Sequence, residues 1–201
     1  DCEGTCGGSA ICTVTMELDF GANWNWFSVN VVDEDDMSLD NVLGYDGWEF
    51  GDYIKANNGF STFYGDPAQD GFGWQGSLSS IDVKKGYKLQ LASANTLSFE
   101  GTPIDPADHP INLSTGWNWI GYIPSDILEI NAALGSITNG VYIKAQSEGF
   151  STYYGDPNDG GWGWQGTMGH MKPGYMYMLQ MDGSGTLVYP GASLASQTDI
   201  A

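Results

Sequence analysis

The sequence predicts a mainly β protein built from two tandem copies of a small antiparallel β domain, with a short helix in each. Three observations lead there: a long internal repeat, a period-two alternation of apolar residues within each copy, and a glycine- and aromatic-rich composition poor in charge. The repeat is read first. Trp24-Asn25-Trp26 returns as Trp117-Asn118-Trp119, and Tyr53-Ile54-Lys55-Ala56 returns as Tyr142-Ile143-Lys144-Ala145. The block from Gly59 to Pro67 recurs from Gly149 to Pro157, with Tyr153 in place of Phe63. Gly73-Trp74-Gln75-Gly76 recurs as Gly163-Trp164-Gln165-Gly166, and Tyr87, Leu89 and Gln90 match Tyr177, Leu179 and Gln180. A unit of about 90 residues is too long for a solenoid repeat and suits two small domains. The boundaries read as a Cys/Gly-rich arm at 1–12, repeat 1 at 13–101, a proline-rich linker at 102–110, repeat 2 at 111–193 and a tail at 194–201.

Within each copy the elements follow in order. Val14, Met16, Leu18 and Phe20 alternate with polar neighbours, the pattern of a strand with one face in a core. Trp24 to Val31 is apolar on both sides, which predicts a central strand covered on both faces, with Trp26 and Trp119 buried. Ser38 to Gly44 and Ile127 to Leu134 predict the short helices, the second capped by Ser125-Asp126. Phe60–Tyr64, Trp74–Leu78, Tyr87–Leu91 and Thr96–Phe99 predict strands bounded by turn residues. Pro103, Pro106 and Pro110 predict a stiff, extended linker.

Charge narrows the function. There are 25 acidic residues against 6 bases, a formal charge of −19, and every base is a lysine. A chain without arginine lacks the planar fork used on phosphate, and its field repels polyanions, which excludes nucleic acid as a partner. No stretch approaches the roughly 20 apolar residues of a spanning helix, so no membrane insertion is predicted. Lys55 and Lys144, the bases held in both copies, are expected each to meet a carboxylate.

The candidate sites are of three kinds. Cys2, Cys6 and Cys12 stand in the first dozen residues, and an odd count leaves one thiol free or joined to another chain, so the arm is the predicted contact between subunits. Asp66, Asp70, Asp156 and Asp159 lie in oxygen-rich Asp-Pro and Asp-Gly turns that suit calcium as a cofactor. Trp48, Phe72, Trp74, Gln75, Trp162, Trp164 and Gln165 lie in or beside glycine-rich loops. There, rings stack on a sugar and amides bond its hydroxyls. Asp33-Glu34-Asp35-Asp36 reads as a solvated face. Only His109 and His170 are histidines, neither belongs to the repeated design, and no nucleophile motif is present, so no catalytic residue is assigned.

The order of these blocks, with Trp117-Asn118-Trp119-Ile120 at its head and Pro173-Gly174 before Tyr177, resembles tandem repeats of a G-W-N-W-I-S type in secreted and cell-surface proteins of environmental microbes. The resemblance implies a secreted or cell-surface location and modular use, and carries no catalytic residues. Repeat 1 departs from it with Val83-Lys84-Lys85-Gly86 at the corresponding turn. The expectation is therefore a non-catalytic extracellular structural or adhesive protein that self-associates into a filament or surface assembly, through exposed β-edges and the cysteine arm. The alternative is a carbohydrate-binding module whose partner is a polysaccharide.

Overall fold

The computed structural model describes residues 13–66, 71–155 and 162–191. The first half comprises β1 (Val14–Phe20), β2 (Asn23–Phe27), β3 (Val31–Val32), α1 (Leu39–Leu43), β4 (Tyr53–Ala56), β5 (Gly59–Tyr64), β6 (Gly73–Gly76), β7 (Tyr87–Leu91) and β8 (Asn95–Pro103). The second comprises β9 (Ile111–Leu113), β10 (Gly116–Ile120), β11 (Leu128–Glu129), α2 (Ile130–Ala133), β12 (Gly140–Lys144), β13 (Phe150–Tyr154), β14 (Gly163–Gly166), β15 (His170–Met171), β16 (Tyr177–Met181) and β17 (Gly185–Leu187). The fold is mainly β and its ladders are antiparallel. Each half carries a five-stranded sheet, ordered β2-β7-β4-β5-β6 and β10-β16-β12-β13-β14. The ribbon β1–β8 in one half corresponds to β9–β17 in the other.

The alternation read from the sequence sorts side chains to the two faces of each sheet. In the first half Phe27, Ile54, Phe63, Trp74 and Leu89 face a core closed by α1 and by Leu97 and Phe99 of β8. In the second, Ile120, Ile143, Trp164 and Leu179 do the same against Ile130, Ala133 and Leu187. Ser61 and Ser151 also point inward, and their hydroxyls donate to the carbonyls of Leu78 and Met168 at 2.5 and 2.7 Å. A buried hydroxyl needs such a partner. The Gly-Phe-Ser-Thr-Phe/Tyr-Tyr block is therefore one strand whose serine pins the chain that follows the next strand.

Three expectations change here. β2 and β10 are not central strands; each ends its five-stranded sheet, so Trp26 and Trp119 are half-buried, while Trp24 and Trp117 are 37% and 41% exposed. The linker is not a free extended spacer. Gly101 to Pro103 belong to β8, Val31 and Val32 pair with Pro103 and Thr102, and Pro106–Asp108 forms a buried-sided 3-10 turn capped by Asp105. The second helix starts later than predicted, because Glu129 caps it by accepting from the amides of Asn131 and Ala132.

The halves meet through reciprocal contacts. Phe27 bridges Tyr175 and Ile120 bridges Lys85, positions that correspond under the repeat. The Ser28 amide donates to the Gly174 carbonyl and the Gly121 amide to the Lys84 carbonyl, both at 3.0 Å. The Ser28 hydroxyl also donates to the Tyr175 carbonyl and accepts from the Tyr122 amide.

The far end strand of each sheet is tied to a helix at one amide. The Trp74 amide on β6 donates to Asp40 Oδ1 at 2.9 Å, and the Trp164 amide on β14 donates to Asn131 Oδ1 at 2.6 Å. Both acceptors come from the helices, so the outer amide that would recruit another strand is already spent. Each of these far edges is thus engaged by its helix at this one amide. Asp40→Ala and Asn131→Ala should each free that amide, and the double variant should form larger species in light scattering than the native chain does.

Tyr87, Tyr122, Tyr177 and Tyr189 are fully buried, and burial pushes each phenol above its ordinary value. A raised folded value means that the neutral phenol is the form the fold holds. The stabilisation is complete below the ordinary phenol range and is lost as pH rises through and above it. Alkaline titration should show tyrosinate absorbance appearing in one step with loss of near-ultraviolet circular dichroism, rather than before it.

Candidate functional site: the aromatic outer face

The strand register places a row of ring, amide and hydroxyl side chains across the outer face of each sheet. Trp24 lies opposite Gln90, Gln90 opposite Tyr53, Tyr53 opposite Thr62 and Thr62 opposite Gln75. The second half repeats it with Trp117, Gln180, Tyr142, Thr152 and Gln165. Neighbours in such a row stand about 4.8 Å apart. Beside each row run the rings of Phe60 and Phe150, 49% and 44% exposed. Trp24 meets Tyr53 edge-on at 6.3 Å, and Tyr53 stacks on Phe60 at 5.7 Å; Trp117, Tyr142 and Phe150 repeat this at 6.0 and 5.5 Å.

Lysines complete the face. Lys55 Nζ lies 4.8 Å from the Trp24 ring, and Lys144 Nζ lies 5.0 Å from the Trp117 ring. Lys88 Nζ lies between the halves, 4.0 Å from Trp26 and 4.3 Å from Trp119. The expected carboxylate partners of Lys55 and Lys144 are not the ones found. Among the described residues the ion pairs are Lys85 with Asp82 at 3.5 Å and Lys172 with Glu148 at 2.7 Å. The indole faces supply the negative potential instead. Burial holds Lys88 below the ordinary lysine range, and the charges of Lys55 and Lys144 lower it further.

The motif residues have structural work on the opposite side. Asn25 donates to the carbonyls of Gly21 and Asn23 at 2.7 and 3.1 Å and accepts from the Gly21 amide at 3.0 Å. Asn118 repeats this with Ser114 and Gly116. Asn23 and Gly116 hold φ of 74° and 91°, a left-handed turn that Asn and Gly adopt most readily. In Trp-Asn-Trp, therefore, the asparagine closes the turn while the tryptophans face out.

Several residues predicted to bind ligand lie in the core. Trp48 is 7% exposed; its Nε1 donates to the Leu43 carbonyl at 2.9 Å and its ring packs on Trp74 at 5.5 Å. Trp74 and Trp164 are buried, because alternation in the strand turns them inward. Phe72 is half-buried against Tyr45 and Phe63. Gln75 and Gln165 do reach the outer face, and each Nε2 donates to the carbonyl of Phe72 or Trp162 at 3.1 Å, fastening the base of the loop before it. Gly76 and Gly166 follow where a side chain would strike the carbonyls of Phe60 and Phe150. Of the predicted rings only Trp162 is exposed, at 58%.

The acidic candidates divide. Asp66 is exposed after β5, while Asp70, Asp156 and Asp159 lie outside the described residues, as do Cys2, Cys6 and Cys12. Asp33 builds a turn: its carboxylate accepts from the amides of Asp35 and Asp36 and from Asn41 Nδ2, which holds it below the usual carboxylate range. The run that follows β3 thus shapes the approach to α1.

Sequence reasoning missed Tyr53, Phe60, Thr62 and Gln90 and their counterparts, although period two held the signal. Counting outward from the buried Ile54 and Ser61 places all of them on one face. No protein-family model, curated protein or solved structure matches the chain, so this face is judged on its own chemistry.

The turn assignment is testable. Asn25→Ala and Asn118→Ala each remove hydrogen bonds to the backbone of the turn and should cost about 0.5–1.5 kcal/mol in denaturant unfolding. The outward Trp24→Ala should cost less than either.

Proposed function

We propose that the protein is a non-catalytic extracellular adhesive protein that holds polysaccharide on the aromatic outer faces of its two sheets. The observation that carries this reading is the duplicated row of Trp, Gln, Tyr, Thr and Gln, exposed or half-buried along its length. A pyranose offers an apolar face to an indole or phenol ring and a rim of hydroxyls to amides and hydroxyls alongside. A flat row of this kind matches an extended chain of sugars better than a single one. Two rows on one molecule bind one strand or neighbouring strands with avidity, which is what adhesion requires. The resemblance to repeats of secreted and cell-surface proteins supports the same location. Self-association through the cysteine arm has its support in the three cysteines of the sequence, and the engaged amides of β6 and β14 add none to it.

Retention on insoluble cellulose, xylan and mannan tests the reading. The native chain should be retained by at least one of them. The double variant Trp24→Ala/Trp117→Ala should bind it at least about tenfold more weakly with its circular dichroism spectrum unchanged. Retention that is undiminished in the double variant would overturn the reading.

A further inference from the structure

Two clefts flank the contact between the halves, and the repeat relates them. One, of about 440 Å³, lies beside β2 and is bounded by Leu18, Trp26, Gln146 and Tyr175. The other, of about 410 Å³, lies beside β10 and is bounded by the corresponding Ile111, Trp119, Asn57 and Lys85. β2 and β10 each pair on one side only, to β7 and β16, so their other edges face these clefts. In an antiparallel strand the N–H and C=O of one residue point to the same side. The Trp119 carbonyl accepts from the Gly86 amide of the opposite half, so the Trp119 amide also points away from β16.

The clefts differ in what sits on that edge. Beside β2, the Gln146 carboxamide docks like a piece of strand: Oε1 accepts from the Trp26 amide at 2.6 Å, and Nε2 donates to the Trp24 carbonyl at 2.5 Å. Beside β10 the corresponding residue is Asn57, one methylene shorter. It makes no such bond, and among the described residues the Trp119 amide has no equivalent acceptor. Among the described residues the same donor and acceptor pair is thus filled from within beside β2 and not beside β10.

Resting on the polysaccharide reading, we infer that the β10 cleft is a sugar subsite that takes a pair of adjacent hydroxyls in the place Gln146 occupies beside β2. One hydroxyl accepts from the Trp119 amide and its neighbour donates to the Trp117 carbonyl. A vicinal diol supplies an acceptor and a donor side by side, as a primary carboxamide does. Asn57, Asn58, Asn112 and Lys84 line the cleft with further donors and acceptors for the remaining hydroxyls. Trp119 spans both regions, since it lines the cleft and its ring meets Lys88 on the outer face. A sugar chain lying along that face can therefore drop one unit over the edge.

The test uses the full chain labelled with nitrogen-15 and titrated with the β-1,4-linked hexasaccharides of glucose, xylose and mannose. In the native protein the Trp119 amide signal should shift with at least one of them, and the Trp26 amide signal should not. Asn57→Gln, which restores the missing methylene, should abolish the Trp119 shift and weaken binding about tenfold. Gln146→Asn should bring the Trp26 amide into the response and raise the stoichiometry at the clefts from one to two. The same spectra report whether each variant is folded. Shifts confined to the Trp24 and Trp117 indoles, or undiminished binding by Asn57→Gln, would overturn the subsite and leave the adhesive reading standing. No shift with any of the three sugars would overturn both.

Discussion

The backbone contact between the halves sets most of what lies around it. Where the Ser28 amide meets the Gly174 carbonyl and the Gly121 amide meets the Lys84 carbonyl, each half lends a turn to the strand at the end of the other half's sheet. Main-chain groups buried there must be paired, which fixes the approach closely. Gly86 and Gly121 stand where a side chain would strike Met176 and the Val83 carbonyl. From this contact follow the nearness of Trp26 and Trp119, the position of Lys88 between them, and a cleft on either side. A duplicated unit has thereby become one molecule with a shared face rather than two beads on a string.

The face is electrostatically unlike the rest of the chain. Half of the lysines of a protein with charge −19 gather over four indoles, and burial, with the neighbouring lysine charges, lowers the one in the middle. Indole supplies favourable potential without the dehydration cost of burying a carboxylate. Met178 occupies the place of Lys88 in the second half, so a single cation serves both inner tryptophans. The amides of Gln90 and Gln180 stand beside Trp24 and Trp117 in the strand register.

The Gly-Trp-Gln-Gly motif shows how closely structural and surface roles are interleaved. Its tryptophan seals the core and spends its amide on a helix side chain, its glutamine faces out and fastens a loop, and its last glycine admits the neighbouring strand. In the sequence its ring and amide lie beside glycine-rich loops, which suggests a sugar platform. The structure gives this motif mainly to packing, and places the outward rings Trp24, Tyr53 and Phe60 in other repeated blocks.

The sequence alone determined the class, the duplication and the inward set. Alternation through Ile54, Ser61, Phe63 and Leu89 is a local property of strands, and two copies of the same blocks carry the same strand order. It did not determine which strands end the sheets, because order within a sheet depends on pairing between distant segments. Local pattern by itself therefore makes β2 central and covers Trp24 and Trp26, whereas pairing puts β2 at the end of its sheet. Nor could it show that Gln146 reaches the edge of β2 while Asn57 fails to reach β10, since that difference exists only once the halves are docked. The cation partners of the lysines were decided in the same way, by register and docking: a lysine in a strand meets whatever the neighbouring strand presents, and here that is indole.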